Sequence, residues 1–383
     1  MARKAAAPQP APKPKKVKKK REYIDMTLLF ILIFLMGFGL VMLYSTSAYG
    51  SAIKYGSTFR FMRMQFVGIG VGTVAGIFLI TTGYKWTERF AMPLLAVAAV
   101  LCIVVNFTDK STNGSSRWLY IGSVSFQPSE IGKVAIIVFV AHFIAKYTRA
   151  LSEDWHNMIK CVGICLIIIG PVALNNLSTA VIIAGIAVIM LFVAVPYIKP
   201  FGYLFAAALV AGIGLIIAEP YRLQRILNWN SADSGDSTSE FQTLQGLYAI
   251  GSGGFGGKGL GESIQKTIVP EANNDMIFSI ICEELGLVGG LFVILLFVLL
   301  IWRLFVNARA AKDTYGSFLL IGIMVHISLQ VILNIAVVTA TIPNTGVTLP
   351  FFSYGGTSAA IMTAEMFLAL SVTKGVNVEE DAN

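Results

Sequence analysis

Ten apolar runs, each near the length that crosses a bilayer, constrain this 383-residue chain more than any other feature. A transmembrane helix needs about 20 mostly apolar residues. Such runs lie near 25–46, 65–82, 91–107, 129–147, 158–175, 178–196, 201–218, 276–302, 316–340 and 357–373. Backbone facing lipid must satisfy its own hydrogen bonds, so each run is expected to be helical. The expected fold is an all-α polytopic membrane protein with about ten transmembrane helices. Charged residues make up 13% of the chain, about half the share of a soluble domain, which excludes an ordinary cytosolic enzyme.

The formal charge of +8 belongs to one end, because residues 1–21 hold nine Lys/Arg and no acid. A nucleic-acid binder spreads its cations over a folded face, so nucleic acid is not an expected partner. Residues 1–21 are read as a disordered basic cytoplasmic tail, 22–373 as the membrane domain and 374–383 as a cytoplasmic C-terminal tail. With the basic tail inside, nineteen Lys/Arg fall inside and nine outside, and Lys133 lies within the fourth run. The four cysteines sit in or beside apolar runs and the three histidines are scattered. Neither a disulfide framework nor a zinc site is expected.

One loop is long, roughly 219–275, and this orientation makes it extracytoplasmic. Seven glycines from Gly251 to Gly261 produce two overlapping G-x-G-x-x-G matches. A dinucleotide fold is rejected, since no strand–turn–helix unit surrounds them, and a Walker loop fails because Gly259 follows Lys258. Their expected role is a backbone that turns sharply and approaches other elements closely. Residues 241–250 are expected to form a short amphipathic helix on the outer surface.

Three outer segments carry the candidate chemistry. In 114–133, GSSRWLYIGSVSFQPSEIGK, Pro128 suits a first helical turn and Glu130 and Lys133 share a helix face, with Arg117 just before. In 269–286, VPEANNDMIFSIICEELG, Pro270 can open a helix that sets Glu271 and Asp275 on one face at the membrane boundary. Desolvation there raises a carboxylate's pKa and makes it a useful base. Glu283 would lie about 12 Å deeper on that helix. In 341–360, TIPNTGVTLPFFSYGGTSAA, Ser353 to Ser358 lead into a helix start whose free N–H groups suit an anion. Glu365, further along the last run, reads as a structural acid paired inside the bundle. Outside the cell there is no nucleotide donor, so group transfer requires an activated substrate. A lipid-linked pyrophosphate meets that need, and one carboxylate base then suffices, unlike the pair used in glycoside hydrolysis.

At these segments the chain closely resembles the SEDS family (shape, elongation, division and sporulation proteins) over about residues 22–373. The resemblance rests on GSSRW with QPSEIGK, on GKGLGESIQK with VPEANNDMIF and EELG, and on LPFFSYGGTS. The GLGESIQK form is most similar to the division-type branch. Two positions depart from the family pattern: Met276 where Phe is frequent, and Asn175-Asn176-Leu177-Ser178-Thr179 where P-D-L-G-T is frequent.

The resemblance implies a peptidoglycan glycosyltransferase that polymerises lipid II on the outer face of the bacterial cytoplasmic membrane. It implies a class B penicillin-binding protein and other division proteins as partners, at the division septum. Asp275 takes the family's essential acidic position, as base toward the incoming sugar hydroxyl. Arg117 and Lys133 match family cations that would hold the pyrophosphate of the undecaprenyl-linked glycan, together with a divalent cation such as magnesium or manganese. Gln127, Glu130, Glu271, Ser353, Gly355, Gly356 and Thr357 complete the expected substrate site. The alternatives are a lipid II flippase or other transporter and a division scaffold.

Overall fold

The computed structural model describes residues 24–108, 117–121, 124–229 and 238–374. Both expected tails (1–21 whole, 374–383 beyond Lys374) and Gly114–Ser116 of the GSSRW motif lie outside the described residues. The chain runs α1 (Met26–Tyr55), α2 (Arg60–Thr82), α3 (Lys85–Arg89), α4 (Ala91–Val104), β1 (Leu119–Ile121) and β2 (Val124–Phe126). It continues through α5 (Pro128–Glu153), α6 (His156–Asn175), α7 (Leu177–Ala194), α8 (Lys199–Ile217), α9 (Pro220–Asn228) and α10 (Thr238–Gly253). The last three helices are α11 (Ile277–Ala310), α12 (Thr314–Val338) and α13 (Gly356–Thr373). Among the described residues nine helices are long and apolar enough to cross a membrane, and Ala91–Phe107 is a shorter apolar helix at the third expected span. The fold is that of an all-α, multi-pass membrane protein.

Local chemistry sets the helix ends. Asp25 caps α1 by accepting from Leu28 N at 3.2 Å. Pro128 opens α5, where a missing N–H breaks no helical bond. The β1–β2 hairpin, pairing Leu119 with Phe126, delivers the chain to that start. Helices α5 and α12 form the centre: α5 is buried almost continuously from Ala135 to Ala141, and α12 packs on α5, α7 and α11. Helix α8 stands apart, with Pro200 its one buried residue.

Helix α2 packs along α13 through Gly68, Gly72 and Gly76. A Cβ on Gly72 would come within 2.3 Å of the Ala360 carbonyl oxygen, so only glycine allows this approach. Small residues four apart are a frequent device for close helix contact in membranes.

The 219–275 segment differs from expectation. The short surface helix becomes the sixteen-residue α10, which packs along α11 and buries Ala249 and Gln242. The glycine-rich stretch after it docks on a break in α11 at Gly286, where φ is 69°. There Lys258 N and Gly259 N donate to the carbonyls of Glu283 and Glu284, and Leu287 N donates to Gly254 O. The glycines therefore satisfy backbone groups that a continuous helix would have paired internally. Glu283, expected deeper along the helix than Asp275, is fully buried there and pairs with Lys258 Nζ at 2.6 Å.

Candidate active site

A cavity of about 660 Å³ opens where the three motif segments meet. Its wall takes Arg117 and Trp118 from before the hairpin, Gln127 and Glu130 from the start of α5, and Glu271, Asn274 and Asp275 from the turn preceding α11. Thr345, Gly346, Thr348 and Tyr354 to Ser358 close one side, and Met64, Val67, Gly68 and Val71 of α2 another. Arg225 of α9 and Gln242 of α10 complete it.

The expected helix from Pro270 is not formed. Residues 270–276 are turns, Glu271 has φ 57°, and α11 begins at Ile277. The turn is pinned from outside: Ser353 Oγ donates to Asn274 O at 2.6 Å, Tyr354 N to Asn273 O at 2.8 Å, and Asn334 Nδ2 to Asp275 O at 2.8 Å. Asp275 thus precedes the helix, held by backbone contacts from two other segments.

Asp275 is 7% exposed. Burial raises its carboxyl to about 7, and repulsion by Glu271 adds to the rise. The Gln242 amide and the Arg225 cation oppose it. A carboxyl with that pKa is half-ionised near neutral pH and suits proton abstraction. Gln242 Nε2 donates to Asp275 Oδ1 at 3.0 Å, and Asn344 Nδ2 donates to Gln242 Oε1 at 2.9 Å.

Arg117 Nε donates to the Asn175 carbonyl at 3.1 Å, which sets a cation on the C-terminal end of α6 and orients the guanidinium at the cavity wall. Glu130 accepts from Ser358 Oγ at 3.0 Å, joining the starts of α5 and α13. Gly356 and Thr357 open α13 and bring its first N–H groups to the cavity.

Eight expected residues therefore share one cavity: Asp275, Glu271, Arg117, Gln127, Glu130, Gly355, Gly356 and Thr357. Two stand behind it. The Lys133 ammonium is buried, 2.8 Å from Glu130 Oε1 and 3.2 Å from Gln330 Oε1, so it acts on the cavity through Glu130. Ser353 accepts from Leu349 N at 2.8 Å while donating to Asn274 O, and fixes the loop. Glu365 pairs with His326 Nδ1 at 2.9 Å within the bundle, as expected of a structural acid. Sequence reasoning missed Gln242, Asn344, Tyr354 and the site role of Arg225. Of these only Arg225 carried a signal, as a cation on the outer loop.

Two ion pairs mark the opposite end of the bundle. Arg303, roughly 39 Å along α11 from Ile277, pairs with Asp25 at 2.6 Å, and Lys85 pairs with Asp313 at 3.1 Å. The cavity and these two ion pairs thus lie at opposite ends of the bundle.

Among the described residues no group of three or more His, Cys, Asp or Glu is placed to hold a metal. Magnesium held by substrate phosphates needs only one or two carboxylates from the protein. Glu271 on the wall, beside Asn274 whose buried Oδ1 lacks a hydrogen-bond partner, fits that lesser requirement.

A family model covering FtsW, RodA and SpoVE, described as cell cycle protein, matches residues 26–377. Stage V sporulation protein E of Bacillus subtilis (strain 168) is 37% identical over 359 residues, covering 91% of this chain and 97% of that protein. A probable peptidoglycan glycosyltransferase FtsW of Trichlorobacter lovleyi is 33% identical over 364 residues, covering 93% and 94%. Among solved structures, a chain of a peptidoglycan synthase complex superposes with a TM-score of 0.76 at 24% identity, covering 93% of this chain and 99% of that one. The rod shape determining protein RodA of Thermus thermophilus superposes with a TM-score of 0.67 at 24% identity, covering 91% and 96%.

Proposed function

The chain belongs to the FtsW/RodA/SpoVE family of cell-cycle proteins, and from that membership we propose that it is a peptidoglycan glycosyltransferase polymerising lipid II. The observation that carries the reading is Asp275, a desolvated carboxylate on the wall of a cavity that also holds cations and a helix N-terminus. In the proposed reaction Asp275 takes the proton of the acceptor sugar's 4-hydroxyl. The oxygen attacks the anomeric carbon of the lipid-linked strand, and the bond from that carbon to the pyrophosphate breaks. The proton passes from Asp275 to water, and undecaprenyl pyrophosphate leaves with the bonding pair.

Arg117, Arg225 and the first N–H groups of α13 provide positive potential for that leaving group, a stabilisation that acts where charge develops. Lys133 keeps Glu130 paired, so that no bare carboxylate repels the pyrophosphate. A divalent cation, magnesium or manganese, would be held by Glu271 and the Asn274 Oδ1 and would neutralise pyrophosphate charge. Arg303 and Lys85, at the end of the bundle away from the cavity, support a cytoplasmic location for both termini and an outward-facing cavity. The tails, 1–21 and 374–383, would then flank a membrane domain of 22–373 on its cytoplasmic side. A class B penicillin-binding protein is the proposed partner, with other division proteins, at the septum.

Polymerisation of labelled lipid II by the purified full chain, with and without the penicillin-binding partner, tests this reading. Glycan strands are expected from the native protein and none from Asp275→Asn at equal expression and partner binding. Normal polymerisation by the Asn variant removes Asp275 as the base. Transfer of labelled lipid across vesicles with no polymer from either protein makes it a transporter.

A further inference from the structure

The last turn of an α-helix leaves carbonyls without an N–H of the helix to pair with. At the end of α6, Asn176 N bonds back to Val172 O, which leaves Ala173, Leu174 and Asn175. Two arginines take them. Arg117 Nε donates to Asn175 O at 3.1 Å. Arg222 of α9 donates through Nη2 to Ala173 O at 3.1 Å and also to Leu174 O. Its Nη1 donates to Leu215 O, in the last turn of α8, at 3.2 Å. One guanidinium thus ties α9 to the carbonyl ends of two helices, where their dipoles also favour a cation. Apolar packing does little to hold α9, which sits chiefly on α8 and leaves Leu223 and Ile226 exposed. Past its far end, Trp229 Nε1 donates to Ala340 O at 3.1 Å.

We propose that Arg222 is a positioning residue: by capping the end of α6 it seats α9 so that Arg225 and Arg117 form a two-armed clamp selective for a diphosphate. The proposal rests on the reading of the cavity as the site of a lipid-linked pyrophosphate. Arg225, one turn on from Arg222 and on the same side of α9, lines the cavity. Arg117 lines it too, as does Asn176 directly after α6. The end of α6 is therefore a common post for both arms, while Arg222 itself lies outside the cavity lining. Two phosphates engage two cations, whereas a monophosphate is held by either one. With α9 unseated the Arg117 arm remains, and it takes both anions nearly alike. Trp229 is the second tie on the same helix, and being neutral it acts on the clamp through position alone.

The test is inhibition of lipid II polymerisation, by the full chain with its partner, using undecaprenyl pyrophosphate and undecaprenyl phosphate as competitors. The ratio of their inhibition constants reads the clamp. Native protein is expected to prefer the pyrophosphate by about tenfold, the worth of one charge-assisted contact. Arg222→Met should reduce that preference to about twofold, Arg222→Lys should fall between, and Trp229→Phe should shift the ratio in the same direction. In an Arg225→Met background neither Arg222→Met nor Trp229→Phe should change the ratio further, since both act through Arg225. A lowered kcat with the ratio unmoved overturns the proposal, because a purely structural role would do that. Losses that multiply in the Arg222→Met/Arg225→Met double variant also overturn it, by placing Arg222 on the substrate. If Arg222→Met fails to fold, Arg222→Lys and Trp229→Phe carry the same test, and an unmoved ratio in both refutes the seat. Failure of the underlying reading looks different: Arg225→Met itself leaves the ratio at its native value, or the native protein makes no polymer.

Discussion

Replacing Asp275 with Asn should stabilise the protein while removing its activity, with a pH dependence that identifies the source of the gain. The carboxyl is 7% exposed, and its pKa rises from 3.8 to about 7 chiefly because burial penalises the charged form. That shift corresponds to about 4 kcal/mol of native-state penalty once the group is ionised. Below pH 3.8 the carboxyl is protonated in both folded and unfolded chains and imposes no penalty. Between 3.8 and about 7 the unfolded chain ionises while the native protein holds its proton, so native stability falls by about 1.4 kcal/mol per pH unit. Above that window the penalty is constant. An asparagine does not titrate and still accepts from Gln242. The variant's advantage should therefore be small in acid, grow by about 2.5 kcal/mol between pH 5 and pH 8, and then level off. Thermal or chemical unfolding of the detergent-solubilised full chain across that range measures it. An offset that is absent, or the same at every pH, would refute the claim that Asp275 is a desolvated base. A stabilising substitution that destroys function is the expected sign of a strained catalytic group.

Two further outcomes follow from the packing. Gly72→Ala should cost about 1–3 kcal/mol in thermal unfolding, because its Cβ would meet the Ala360 carbonyl at 2.3 Å. Gly70→Ala, with nothing within 4 Å, should be neutral or better. Lys133→Met should cost about 3–5 kcal/mol by stranding buried Glu130, and adding Glu130→Gln should recover most of that stability. A folded Lys133→Met protein with only a raised KM for lipid II would instead place the ammonium on the substrate.

The spans were legible because lipid imposes one rule on every exposed segment, and an apolar run of sufficient length has few alternatives. The convergence of the three motif segments was legible for a related reason. Charges are scarce in this membrane domain, and those at one bundle end have few places to go. What stayed hidden was partnership. Glu130 and Lys133 share a helix face by spacing alone, but whether the ammonium meets substrate or core is decided by Gln330, on a helix that no local pattern ties to α5. The break in α11 was invisible because the apolar run 276–302 reads as one helix through Gly286. The glycine-rich stretch was correctly expected to turn and approach closely, but its counterpart was not.

That hidden break also explains why Gln242 could not be found. Residues 241–250 look like a surface helix as long as nothing is known to cover them, and a glutamine on such a helix carries no signal. Gly253 settles the matter, since a Cβ there would lie 2.0 Å from the Cys282 carbonyl, and this contact brings α10 against α11. Once α10 is seated, Gln242 is carried to Asp275 and Asn344, and an unremarkable polar residue becomes the joint between three segments. Glu283, paired with Lys258 beneath the same glycine-rich stretch, helps hold that seat. The glycines, rejected as a nucleotide motif, thus bear on the catalytic acid indirectly: they fix the helix that carries its hydrogen-bond donor.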